Sequence, residues 1–196
     1  MPIVLDLAKA IEARDPYSSG HAARVAVFAE VVAARLGWDE GQIDVLRMGA
    51  ALHDIGKLTV SERILRKQGP LSEDELAEVR SHPEGGARMV ELVKTLRPAV
   101  PCVLHHHERW DGRGYPDGRA GEAIPAEARV LAVVDAFDAM TSDRPYRQAL
   151  PPQRAIAELE KGAGTQFDPE VVAVFVEAWR DGALDMPSGV SVRATV

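Results

Sequence analysis

Val25, Phe28, Ala29, Val32 and Leu36 recur at spacings of three and four residues. A strand would alternate every second residue, so this stripe folds only as a helix that buries one face. Ser18 or Ser19 is placed to cap its start and Gly37 to end it. The same signature returns along the chain. Asp39 with Gln42 forms a capping box for a helix reaching about Asp54, with Gly56 as its stop. Ser72 with Glu75 forms a second box, and Pro83 marks the break after that helix. Further helices fit Pro83 to Lys94, with Gly85 and Gly86 weakening the first turn, and about Pro98 to His107. Residues 109–124 hold four glycines and read as a loop. Pro125 opens the next helix, whose stripe is Val130, Val133, Val134, Phe137 and Met140. Two late helices fit Pro152–Lys161 and Pro169–Asp181, the second capped by Asp168. Strand signals are nearly absent. The expected fold class is all-α, a single-domain bundle of about eight helices over residues 1–182, with 183–196 as a frayed tail.

The net charge of -7 and the absence of any Lys/Arg run disfavour a DNA backbone as partner. A single cysteine, Cys102 in the apolar run VPCVL, excludes both a disulfide framework and a thiolate zinc site. It reads as a small buried hydrophobe. MPIVLDLAKA lacks the basic segment and apolar run of a signal peptide. No stretch approaches the ~18 apolar residues of a membrane span. The expected location is the cytoplasm. The apolar segment PIVLDLAKAI offers a homodimer seam or a signalling connection.

The chemistry is carried by histidine. Three of the six histidines stand side by side at His105, His106 and His107, an arrangement of no use to an apolar core. His21 continues the stripe of Val25 and points inward. His53 and Asp54 end their helix in ALHDIGK, and His82 stands at a helix junction. Asp135 interrupts the apolar run RVLAVVDAF, where a carboxylate costs several kcal/mol unless it is paired or bound to metal. Each residue alone has an ordinary explanation, such as a hydrogen-bonded core histidine or a helix cap. The ordered series H … HD … H … HH … D supplies five or six imidazoles and two carboxylates, too many for one tetrahedral zinc. Such a mixed nitrogen and oxygen set suits two divalent ions of the Fe, Mn, Co or Ni class. Asp54 is the natural bridge, because a carboxylate can span two ions and an imidazole cannot.

Two ions roughly 3.5–4 Å apart activate a bridging water and neutralise a phosphoryl group under in-line attack. Phosphate ester hydrolysis is the chemistry they favour. Lys57, one turn past His53, and Arg144 and Arg147, just beyond the helix of Asp135, offer donors to the anion. Asp138, one turn past Asp135, is grouped with them on the substrate side.

The segments GHAARV, ALHDIGK, SHPEGGA, HHERWDGRGYP, IPAEARVLAVVDAFDAMTSDRPYR and GTQFDP occur in this order. With them the chain closely resembles the HD-GYP branch of the HD phosphohydrolases, from about residue 15 to 175. The resemblance implies an HD-type helical bundle and a cyclic di-GMP phosphodiesterase yielding pGpG and, in many members, GMP. It implies attack by a hydroxide bridging two metals. The metal ligands it implies are His21, His53, Asp54, His82, His106, His107 and Asp135, with Fe or Mn ahead of Co and Ni. Asp54 and Lys57 take catalytic roles, and Arg144 and Arg147 hold the substrate phosphates. Gly114, Tyr115 and Pro116 form a loop linked in the family to protein partners. His105 lies outside the motif, as a structural or surface residue. Members with three metals carry a glutamate where this chain has Tyr17, so two metals are expected. Many members carry an upstream receiver or sensor domain. Here the catalytic segment begins almost at once, and a stand-alone protein and an excised domain both fit. Two alternatives stay open: another cyclic or linear dinucleotide as substrate, and a non-catalytic binding or interaction module.

Overall fold

The computed structural model describes residues 7, 11–12, 20–143 and 148–184. Among them lie nine α-helices: α1 (His21–Arg35), α2 (Glu40–Leu52), the single turn α3 (Glu62–Leu65), α4 (Glu73–Arg80), α5 (His82–Glu91), α6 (Val100–His105), α7 (Ala126–Thr141), α8 (Pro152–Gly162) and α9 (Pro169–Arg180). Three 3-10 turns, Ile55–Thr59, Lys94–Ala99 and Gly121–Ala123, join them. The all-α expectation holds. No helix among the described residues is long and apolar enough to cross a membrane.

Both capping boxes form as their sequences require, Asp39 with Gln42 and Ser72 with Glu75, and Asp168 caps α9 through the Glu170 amide. Other boundaries differ. Ser18 and Ser19 lie outside the described residues, and α1 starts from Gly20, whose φ of 70° is open to glycine. The helix expected to run from Pro98 to His107 divides into a 3-10 turn and the six-residue α6. α5 stops at Glu91, short of Lys94.

Gly56 is the most informative difference. It does not end α2 by a left-handed turn; that helix closes at Leu52 and a 3-10 turn follows. A Cβ at Gly56 would sit 1.8 Å from the His82 carbonyl oxygen and 2.5 Å from the Gly86 nitrogen. The glycine lets the 3-10 turn lie directly on the first turn of α5. Gly86 serves the same approach from the other side, with its own Cβ position 3.1 Å from the Gly56 nitrogen.

The main core joins α1, α2, α7, α8 and α9. Phe28, Phe137 and Phe175 meet there as a ring cluster, with centroids 4.9–6.5 Å apart. The stripe of α1 faces it, with Val25, Ala29 and Val32 fully buried. Leu184 packs into the same core, and residues 185–196 of the expected tail lie outside the described residues. A smaller cluster of Ile11, Ala51, Leu52, Ile55, Val90, Ala99 and Val103 knits the end of α2 to α5 and α6. Cys102 is buried, as expected. The ends of α2 and α6 and the starts of α1 and α5 thereby converge.

Candidate metal centre

That convergence carries the histidines. His21 is the first residue of α1, His53 the C-cap of α2, His82 the first residue of α5 and His106 the C-cap of α6. A helix end presents its side chain across the axis rather than along a flank. Four ends meeting at one place can therefore pool imidazoles that are far apart in sequence.

Three of the rings are oriented by one device. The Nδ1 of His53, His82 and His106 lies 2.8, 2.7 and 2.8 Å from the carbonyl oxygen of Ala50, Val79 and Val103, three residues back in each case. A carbonyl only accepts, so each Nδ1 carries the proton and each neutral ring turns an Nε2 lone pair inward. His21 is oriented instead by Asp138, whose Oδ2 lies 2.7 Å from its Nδ1.

The inward nitrogens then face one another in pairs. His21 Nε2 is 3.2 Å from His53 Nε2, and His82 Nε2 is 3.3 Å from His106 Nε2. Two lone pairs at that distance repel unless a cation sits between them. Two nitrogens roughly 2.1 Å from one ion, at a bond angle of about 100°, stand about 3.2 Å apart. The spacing therefore fits one ion per pair. Asp54 lies between the pairs, with Oδ2 3.5 Å from His53 Nε2 and Oδ1 3.5 Å from His82 Nε2. Asp135 Oδ1 is 3.3 Å from His21 Nε2. His107 joins His82 and His106 in a second ligand group, beside the group of His21, His53 and Asp54. The donor set thus fits divalent metal ions. All seven residues expected as ligands fall within this one cluster.

Electrostatics favours the ligand forms. Burial holds the ring of His106 well below the ordinary histidine range, with neighbouring His107 adding to the effect. Burial also lowers His82, and pushes His107 down to about 4 against the pull of Asp135. At Asp54 burial opposes ionisation, but Lys57 and the surrounding histidines overcome it and hold the carboxyl well below its usual value. His21 is the exception: burial lowers it, yet the Asp138 hydrogen bond and the charges of Asp135 and Asp54 leave it raised. An unfolded histidine titrates near 6.5, so between that value and about 4 the unfolded chain holds protons that folded His107 lacks. The metal-free protein should lose stability on acidification through this window, by about 2 kcal/mol from His107 alone between pH 7 and pH 5. Raised His21 contributes in the opposite sense, because its stabilisation is retained in acid. Urea unfolding in a chelator at both pH values measures the balance. Equal or greater stability at pH 5 would show that the lowering at His107 does not outweigh the raised His21.

Asp138 is placed differently from its expected role as a substrate contact. It is 2% exposed, and its oxygens are taken by His21 Nδ1, by Arg24 Nε at 2.5 Å and by Arg24 Nη2 at 2.9 Å. Such a carboxylate fixes the tautomer and direction of its histidine. Arg24 had no place in the sequence reading. Its only signal was its position three residues after His21, on the same helix face. Glu12 was also missed: its carboxylate accepts from the Gly20 and Ala22 amides and so holds the start of α1. Lys57 Nζ lies 2.7 Å from Asp54 Oδ2, at the mouth of the cluster. Arg144, Arg147 and Tyr17 lie outside the described residues.

The loop after His107 is tied back onto the site. Buried Glu108 accepts from the Asp117 amide at 2.8 Å and the Arg119 amide at 3.1 Å. Gly114 lies so close to the preceding backbone that a Cβ would come within 2.6 Å of the His107 oxygen, the Glu108 Cα and the Arg109 nitrogen. Tyr115 stacks on the ring of His107, centroids 4.9 Å apart, and the Arg80 guanidinium lies 5.5 Å from the Tyr115 ring centre. The segment GTQFDP closes the far side, where the Thr165 oxygen accepts from the Asp111 amide at 2.8 Å.

Comparison with known proteins agrees with this architecture. The family described as HD domain matches residues 7–171. The cyclic di-GMP phosphodiesterase response regulator RpfG of Xanthomonas campestris pv. campestris is 42% identical over 168 residues, which is 85% of this chain and 44% of RpfG. The 3'3'-cGAMP-specific phosphodiesterase 3 of Vibrio cholerae is 38% identical, over 90% of this chain and 38% of its own length. The chain thus spans less than half of these relatives. The crystal structure of the V. cholerae cyclic GMP-AMP phosphodiesterase V-cGAP3 superposes with a TM-score of 0.74 at 18% identity, covering 93% of this chain and 49% of that one. At that identity it speaks for the fold.

Proposed function

The chain belongs to the HD domain family, and on that premise we propose that it is a metal-dependent phosphodiesterase opening cyclic di-GMP to pGpG, with GMP as the further product. The observation that carries the reading is the pair of facing Nε2 contacts at 3.2 and 3.3 Å with the Asp54 carboxylate between them. His21, His53 and Asp54 would hold one ion, and His82, His106 and His107 a second, with Asp54 within reach of both groups and Asp135 available near His21. Fe or Mn suits this set best, with Co and Ni as alternatives. When bound, the ions lower the pKa of water and neutralise charge on the phosphoryl group.

The chain's own residues do the rest. Asp138 and Arg24 hold the His21 ring in its ligand tautomer. The carbonyls of Ala50, Val79 and Val103 do the same for His53, His82 and His106. Lys57 brings a positive charge to the cluster's edge, where a phosphate or leaving oxygen gains charge. Arg144 and Arg147 provide planar forks for the substrate's phosphates. The Gly114-Tyr115-Pro116 loop offers a surface to a protein partner. The proposed setting is the cytoplasm.

A second reading changes only the base. The V. cholerae relative specific for 3'3'-cGAMP is nearly as similar as RpfG, so the mixed dinucleotide is the competing substrate. The test is anaerobic purification, elemental analysis, and parallel product time courses from cyclic di-GMP and 3'3'-cGAMP. At least two metal equivalents and faster release of pGpG support the first reading. Preference for the mixed ring shifts it to the second. A metal-loaded protein that binds both rings and cleaves neither leaves only a binding module.

A further inference from the structure

His105 is the one histidine outside the proposed catalytic cluster, and it is not a surface residue. It is 4% exposed, and its buried Nδ1 has no hydrogen-bond partner. A buried donor or acceptor left unsatisfied is destabilising, so its surroundings need explaining. The nearest polar atoms are two carboxylate oxygens, Glu108 Oε1 at 3.8 Å and Asp117 Oδ2 at 3.9 Å. Both stand beyond hydrogen-bond reach, and all three atoms converge on one point. One ligand atom from each residue fits within a mutual distance of 4.8 Å. Atoms so spaced enclose a centre roughly 2.2–2.5 Å from each, close to the contact distances of divalent cations.

We propose that His105, Glu108 and Asp117 form a separate divalent-cation site, structural rather than catalytic, at the root of the Gly114-Tyr115-Pro116 loop. One imidazole with two carboxylates favours an ion that accepts both nitrogen and oxygen, such as Zn2+, over Mg2+. The carboxylates supply two negative charges. The side-chain cation facing them is Arg119, whose Nε lies 3.2 Å from Asp117 Oδ2. Arg119 is 42% exposed and Asp117 48% exposed, so the guanidinium can swing away and the ion can enter from solvent. Glu108 is already oriented by the Asp117 and Arg119 amides, leaving its remaining lone pairs for a cation. Occupancy would join the end of α6 to the far limb of the loop whose Tyr115 stacks on His107. The site's function is to fasten that loop, and it stands whether or not the substrate assignment does.

The test strips the full chain with chelator, titrates it with Zn2+ alone and counts bound equivalents after dialysis. Asp117→Asn changes an exposed side chain, so its folding is spared; His105→Gln is the companion variant. Each should bind one equivalent fewer than the parent, or bind it at least tenfold more weakly. Asp54→Ala, which strikes the catalytic pair, should keep that equivalent. Equal stoichiometry and affinity in the parent, Asp117→Asn and His105→Gln would overturn the proposal. So would a His105→Gln protein that is less stable in chelator yet binds as much Zn2+, because His105 would then be a packing residue only. If Asp54→Ala and Asp117→Asn remove the same equivalent, there is no separate site and the proposal also falls.

Discussion

Asp54→Ala should leave a folded protein that retains neither ion of the proposed catalytic pair and turns over cyclic di-GMP at least 10^3-fold more slowly, roughly 4 kcal/mol in the barrier. The expectation comes from position. Among the described residues, Asp54 is the carboxylate whose two oxygens face different histidine groups, each 3.5 Å from an Nε2. Its loss takes from both histidine groups the carboxylate they share, leaving Asp135 alone near His21, and removes the element that sets the spacing between ions. Asp54→Asn keeps the shape and loses the charge. It should fail nearly as badly, separating the electrostatic contribution from the steric one. Elemental analysis of the purified variants with a product assay reads both. Near-parental metal content and turnover in Asp54→Ala would refute the bridging role.

Gly56→Ala should be the most damaging single methyl group in the described chain. The added carbon would arrive 1.8 Å from a backbone oxygen and 2.5 Å from a backbone nitrogen, where ordinary contact needs well over 3 Å. Neither neighbour is a side chain that can turn away, so the 3-10 turn and α5 must separate. Overpacking typically costs 1–3 kcal/mol, and backbone on both sides puts this case at about 3 kcal/mol or more. For a chain of this size that is a fall in Tm of about 6–12 °C. The damage should reach the site, because Asp54 lies two residues before Gly56 and His82 supplies the oxygen it strikes. Metal content should drop with stability. Calorimetry and elemental analysis together check it, and an unchanged Tm would mean that the two elements are not pressed together as they stand here. Alanine at Gly37, where a Cβ meets nothing within 4 Å, serves as the contrast: only the φ of 78° opposes it.

His21, His53, Asp54, His82, His106, His107 and Asp135 were legible as one candidate set because metal chemistry restricts residue type and because buried histidine and aspartate stand out against apolar stripes, and the fold brings them together. Asp138 looked equally chemical, yet its oxygens go to His21 and Arg24, 117 and 114 residues away along the chain. No local pattern distinguishes a carboxylate that binds an ion from one that steers the histidine beside it. His105 shows the same limit. Its place outside the motif was readable, while the burial of its Nδ1 between Glu108 and Asp117 was not.

What the sequence by itself determined is whatever its near neighbours decide: the 3.6-residue stripes, the capping boxes at Asp39 and Ser72, the loop at 109–124 and the list of candidate ligands. Periodicity and caps act over three or four residues, so they survive in a linear reading. Only the tertiary structure decided which nitrogens face each other, that Asp54 lies between two pairs, and why position 56 must be glycine. Those outcomes depend on how helix ends meet across the core, and that geometry is set by the packing of the whole bundle at once.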